Sequence, residues 1–163
     1  LKMYSRWEVM RYLGANPQVL TDLDQARARI SGWLSYTGPL HGVWAIRLDD
    51  RPIGTALLKL LPRSGSGVPS DDTEVGWHLH PDFWGHGYAT EAAARLLDHA
   101  WAQGLHRVLA VTYPQNTASQ AVCLRLGMTP LGPTDAYYDL TSSLFEITAP
   151  ANPAALSSPA NQA

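Results

Sequence analysis

The chain holds 163 residues, 45% of them hydrophobic and 16% charged, with a formal net charge of −2 and one cysteine, Cys123. That apolar content excludes a disordered polymer, the near-neutral charge argues against a nucleic-acid binder that works by neutralising phosphates, and a lone cysteine allows no internal disulfide. No stretch approaches the roughly 18 consecutive apolar residues of a membrane span, and no signal-peptide pattern opens the chain. A single domain in a reducing compartment, the cytoplasm, is therefore expected.

In chain order, residues 2–13 read as a short helix ending at Gly14. Thr21 or Asp22 can cap a second helix in which Ala26, Ile30, Trp33 and Leu34 recur at helical spacing. Residues 42–49 and 53–61 read as a hairpin turning over residues 50–52. Its second arm is a continuous apolar run, which implies cover on both faces. The Pro, Gly, Ser and Asp of residues 62–73 predict a surface loop. Residues 74–80 form a strand stopped by Pro81. A glycine loop over 83–89 then enters a helix whose Ala93, Leu96, Leu97, Ala100 and Trp101 lie on one face, with Gly104 as its stop. Residues 107–113 form a strand halted by Pro114, Asn116 caps a helix through Leu126 with Gly127 after it, and final strands follow near Met128 and over 137–148. The order predicts a mixed α/β fold in one domain, residues 1–148. Residues 149–163, rich in Pro, Ala and Ser without periodicity, read as an unpacked tail.

The chemistry concentrates between residues 74 and 94. A strand, a Gly-x-Gly loop (Gly85 and Gly87) and a helix follow one another without a gap. This places a row of backbone N–H groups at a helix N-terminus, where the macrodipole also favours anions, and glycine lets a phosphate approach closely. A pyrophosphate is the expected guest. A dinucleotide fingerprint would need Gly or Ala where Thr90 stands, and the P-loop pattern is absent. His78 and His80 alternate on one strand face with His86 nearby, but no Asp, Glu or Cys completes a familiar metal spacing, so no metal is expected.

The runs EVGWHLHP at 74–81, FWGHGYATE at 83–91 and NTAS at 116–119, followed by Leu126-Gly-Met128, resemble the GNAT superfamily of N-acetyltransferases. Within it they are most similar to the branch that acetylates the N-terminal amines of ribosomal proteins. Residues 8–14, the Trp44-Ala-Ile run and Ile53-Gly54 share that likeness. The resemblance implies a central, twisted, mostly antiparallel sheet with two splayed middle strands and flanking helices. It further implies a first strand for which this sequence has no counterpart.

It also implies acetyl-CoA as donor and co-substrate, with its pyrophosphate on the loop and helix start: Trp84, Gly85, His86, Gly87, Tyr88, Ala89 and Thr90. Backbone groups of Trp77, His78 and Leu79 would line the thioester, and Asn116 and Ser119 would face the pantetheine arm and sulfur. Arg125 would meet the coenzyme's 3′-phosphate or be solvated at its helix C-terminus. Asp82 stands where the family loop usually opens with Gln or Arg. Cys123 stands where many members place a tyrosine acid, so tyrosine acid catalysis at that position is excluded, and Cys123 itself reads as a packed small residue.

Acetyl transfer needs a base for the amine, a donor for the oxyanion and a proton for the thiolate. Glu74 is the candidate base, the alternative being a solvated carboxylate at a strand end. Ser119 is the candidate acid, the alternative being a helix-start serine bonded to its own backbone. The expected reaction is direct transfer, without an acyl-enzyme, to a protein N-terminal α-amine. A small-molecule amine (amino acid, polyamine or antibiotic) and a non-catalytic acyl-CoA-binding domain are the alternatives. Beyond the amine acceptor, no nucleic-acid or membrane partner is expected, and the chain is expected to be a monomer or homodimer.

Overall fold

In the computed structural model, which describes residues 1–36 and 38–151, six strands form one sheet. Their order across it is β1 (Gly42–Leu48), β2 (Arg51–Pro62), β3 (Pro69–Leu79), β4 (Arg107–Thr112), β6 (Ser142–Thr148) and β5 (Thr129–Thr134). Every neighbouring pair is antiparallel except β3 and β4, which run parallel and are joined through helix α3 (Tyr88–Ala102). Helices α1 (Trp7–Met10) and α2 (Leu23–Leu34) precede the sheet, and α4 (Thr117–Arg125) joins β4 to β5. This is the predicted mixed α/β architecture. The tail expected over residues 149–163 lies almost wholly outside the described residues.

The helix ends obey local chemistry. The Asp22 carboxylate accepts the Gln25 N–H at 2.8 Å, and the Gln25 side chain accepts the Thr21 N–H at 3.0 Å, so the entry to α2 is capped from both directions. Helices α3 and α4 both end in left-handed glycines, Gly104 and Gly127. In each, the residue after the glycine donates back to a carbonyl of the last turn: Leu105 to Ala100 and Met128 to Cys123, both at 3.0 Å.

The β2–β3 hairpin separates two interiors. Side chains alternate along a strand, so Ala56 and Leu58 of β2 and Val75 and Trp77 of β3 share one face. They pack there with Ala93, Leu96, Leu97 and Ala100 of α3, and Cys123 and Phe145 join the same core. Thr55, Leu57, Lys59, Glu74 and His78 point to the other face, toward α1 and α2. Those helices and the segments flanking them build a smaller core from Tyr4, Val9, Met10, Leu20 and Ala26. The apolar run of β2 is thus covered on both sides, as its composition predicts.

Several expectations are corrected. The segment 62–73 is not a loop. Strand β2 continues to Pro62 and β3 begins at Pro69, so only the residues between them turn. Tertiary partners hold the polar start of β3, with Asp72 accepting the Tyr137 hydroxyl at 2.7 Å and pairing with Arg107. Only four residues of the first helix are helical, and a turn precedes them in which the Ser5 N–H donates to the Leu1 carbonyl. Tyr137 makes an isolated bridge to Arg63, and the last strand starts later, at Ser142. On α2, Ile30 and Leu34 face outward, because Ala26 and Trp33 carry the packing.

Two substitutions test this account. Leu58→Ala, in the fully buried α3-facing core, is expected to cost about 2–5 kcal/mol in urea unfolding. Gly54 sits against the backbone of β3, and a Cβ there would come within 2.4 Å of the His78 carbonyl oxygen. Gly54→Ala is therefore expected to destabilise by about 1–3 kcal/mol and to weaken ligand binding at His78; calorimetry and thermal unfolding measure both.

Candidate active site

Strands β3 and β4 are paired at one position, Glu74 opposite Leu109, and diverge beyond it. The His80 N–H donates to the Ile53 carbonyl at 2.9 Å, which turns alternate backbone groups of β3, including those of His78, toward β2. The backbone groups of Trp77 and Leu79 face the other way, into the opening. One of them is used: the Leu79 carbonyl accepts the Trp84 indole N–H at 3.0 Å. The expectation that His78 offers backbone groups to the opening is corrected: they face β2, and its side chain lies on the α1–α2 face of the sheet.

A cavity of about 460 Å³ fills this opening. Its walls are β3 (Trp77, His78, Leu79), the loop and start of α3 (Trp84, Gly85, Gly87, Tyr88, Ala89, Thr90) and α4 (Asn116, Ala118, Ser119, Val122, Arg125). Glu8, Val9, Arg11, Tyr12 and Leu13 complete it. Gly85 and Gly87 are both left-handed, at φ 78° and 85°, and a Cβ at either would project into open space. Helix α3 has no side-chain cap, and its first backbone bond is Glu91 N–H to the Gly87 carbonyl, so the amides of Tyr88, Ala89 and Thr90 have no intrahelical acceptor. Among the described residues, the buried Thr90 hydroxyl on the same wall has no hydrogen-bond partner. A row of free donors at a helix N-terminus fits a pyrophosphate, and the long, largely apolar channel fits a pantetheine arm.

A second cavity, of about 390 Å³, lies on the α1–α2 side of β3. Glu74 lines it from mid-strand and is 6% exposed, so it is a buried cavity carboxylate and not a solvated strand end. Lys59, directly opposite in register, places its ammonium 3.4 Å from Glu74 Oε1, and the Tyr138 hydroxyl donates to the same oxygen. Burial pushes the Glu74 carboxyl above the usual carboxylate range, while Lys59 and Tyr138 draw it back down. Burial and the adjacent carboxylate push the Tyr138 phenol up, which keeps it a donor. His78 holds the Tyr4 hydroxyl at 3.0 Å through Nδ1. Burial, reinforced by the positive charges of Arg29 and Lys59, pushes its imidazole down to about 4, so the ring is neutral at pH 7.

The two cavities meet at Tyr12, Leu13, Trp77, His78, Asn116 and Ser119, which line both. The Asn116 side chain accepts the Ser119 N–H at 3.2 Å, capping α4, and the Ser119 hydroxyl makes no bond to its own helix among the described residues. Of the residues expected at the site, His86 alone lies outside both walls, its ring turned toward Tyr88 at 5.8 Å. Cys123 is fully buried in the core, with burial pushing its thiol up to about 12, so it is an inert packing residue. Among the described residues, no three His, Cys, Asp or Glu side chains gather to hold a metal. Sequence reasoning missed Lys59, Tyr138, Tyr4 and Arg29. A lone lysine within the apolar run of β2 was the one local sign.

Comparison with known proteins agrees with this geometry. A curated relative, the FsC-acetyl coenzyme A-N(2)-transacetylase of Aspergillus fumigatus, is 33% identical over 94 residues, which is 56% of this chain and 40% of that protein. The match likewise spans less than two thirds of the next curated relatives. Among solved structures, a GNAT-family acetyltransferase from Bacillus anthracis superposes with a TM-score of 0.71 at 20% identity, over 90% of this chain and 85% of that one. Mycobacterium smegmatis RimJ, in complex with CoA-disulfide, superposes at 0.67 with 23% identity, over 87% and 71%. The family model of the acetyltransferase (GNAT) domain matches residues 1–129, and the chain belongs to that family.

Proposed function

We propose that the protein is an N-acetyltransferase that moves an acetyl group from acetyl-CoA to a primary amine. The observation that carries this reading is the meeting of two cavities at Trp77, His78 and Ser119, with a donor-lined channel on one side and a buried carboxylate on the other. Acetyl-CoA supplies the acetyl group as a thioester, activated for attack. The amides of residues 85–90 hold the pyrophosphate, and Arg125 stands at the α4 end of the same channel for a further phosphate. The N–H of Trp77 or Leu79, free on the open edge of β3, donates to the carbonyl oxygen as charge grows there. Glu74 takes the proton of the attacking nitrogen, directly or through a water, with Lys59 and Tyr138 satisfying Oε1 and leaving Oε2 free. Ser119 delivers a proton to the sulfur as the carbon–sulfur bond breaks, so an N-acetylated amine and a free thiol leave.

The acceptor we favour is an α-amine, that of a protein N-terminus or of a small molecule. Its cavity carries one carboxylate among the residues that line it, which speaks against a polycation. Its rim residue Tyr36 is 42% exposed, which leaves a route for a chain end. A fold shared with a ribosomal-protein-alanine N-acetyltransferase of Brucella melitensis supports the protein terminus, and a relative named for acetyl transfer to N(2) supports an amine acceptor.

Two measurements test the reading. Gly87→Asp places a carboxylate at the head of α3 and is expected to abolish coenzyme A binding in calorimetry. Gly87→Ala carries the same backbone strain without the charge and is expected to weaken binding less, so equal affinities in the aspartate variant and the wild type refute the cradle. Glu74→Gln is expected to lower kcat/KM by about 10²–10⁴-fold, with the deficit shrinking as pH rises through the amine pKa near 8. Because the Lys59 charge favours ionised Glu74, Lys59→Met is expected to move the acid limb of the pH profile upward.

A further inference from the structure

The acceptor cavity is charge-imbalanced. The charged side chains lining it are Glu74, Lys59 and Arg29. Lys59 is matched to Glu74, which leaves Arg29 as the surplus. Among the described residues Arg29 has no carboxylate within ion-pair distance. Its guanidinium lies over the Tyr4 ring, 4.9 Å from the centroid, and the Tyr4 hydroxyl is tied down by Thr55 and His78. Arg29 is half-buried on α2, and its side chain lines the cavity. His78, held neutral, adds no positive charge of its own.

A wall with net positive charge repels a protonated amine unless the acceptor brings its own anion. A guanidinium fork matches a carboxylate in shape as well as in charge. We propose that the acceptor carries a carboxylate as well as an amine, Arg29 receiving the carboxylate while Glu74 faces the amine. The inference rests on acetyl transfer at this site and narrows its substrate class. The carboxylate has two sources, the α-carboxylate of a free amino acid or the side chain of an acidic residue at a peptide N-terminus.

The test is thiol release from acetyl-CoA with matched acceptor pairs, in the wild type and in Arg29→Gln. One pair is a free amino acid and its C-terminal amide. The other is a peptide amide beginning with Asp and its counterpart beginning with Asn. Taking the variant-to-wild-type ratio within each pair cancels differences in amine basicity. Arg29→Gln is expected to raise KM about tenfold or more for the carboxylate member of at least one pair, with a much smaller change for its neutral partner. The pair that responds identifies the source. Arg29→Lys, which keeps the charge and loses the fork, is expected to retain part of the preference and serves if the glutamine variant does not fold. Acetyl-CoA affinity, read by calorimetry, is expected to stay at the wild-type value, because Arg29 does not line the coenzyme channel. Turnover with equal effects on both members of each pair overturns this inference alone. Intact acetyl-CoA binding without thiol release from any acceptor overturns the transferase reading and this inference together.

Discussion

One departure from regular sheet pairing governs this molecule: β3 and β4 share a single paired position and then part. A parallel pair that stayed together would bury its hydrogen-bonding groups in the ladder and leave no room for a ligand. Parting exposes the free edge of β3 at Trp77 and Leu79 and opens the channel. The exposed groups are costly to leave dry, and the Trp84 indole N–H meets one of them, the Leu79 carbonyl. Both strands are anchored on their outer sides. β2 pairs β3 from Pro62 and Pro69 to Gly54 and Leu79, and β6 pairs the whole of β4. The opening is therefore rigid without being closed.

Alternation along β3 then assigns the chemistry. Trp77 and Val75 pack against α3, whose N-terminus carries the free amides, while Glu74 and His78 look toward α1 and α2, where the second cavity lies. The two cavities lie on different sides of β3 and share Trp77 and His78 in their walls. The short N-terminal helix reinforces that meeting point. The Tyr12 hydroxyl donates to the Gln115 carbonyl at 3.3 Å and the Tyr113 hydroxyl to the Gly14 carbonyl at 2.8 Å, tying the segment after α1 to the residues that follow β4.

The two halves of the site differ in how far the sequence alone discloses them. The coenzyme side was legible because its parts are contiguous: strand, glycine loop and helix occupy one short run, and Gly85 and Gly87 announce the backbone they need. The acceptor side was not, because long-range pairing assembles it. Tyr138 reaches Glu74 across 64 residues and Tyr4 reaches His78 across 74, and no local pattern reports either. Composition misled at residues 62–73. Pro, Ser and Asp suggested a loop, yet Asp72 is matched by Tyr137 and Arg107, so polar residues that looked solvated are held within a strand. That misreading also made Glu74 look like a strand end, when five residues of β3 precede it.

The β2–β3 register carries a further consequence. Because neighbouring side chains point to opposite faces, losing one residue from β3 ahead of Glu74 would exchange the two compartments, burying the carboxylate against α3 and presenting core residues to the acceptor. Length changes in this hairpin are harmless only where they do not propagate into the ladder. The residues between Pro62 and Pro69 and the register shift between Leu60 and Pro62 are such places. The hairpin thus works as a phase reference for catalysis. Helices α1 and α2 lie outside its ladder, so a change in their shape would leave the assignment of faces on β3 intact.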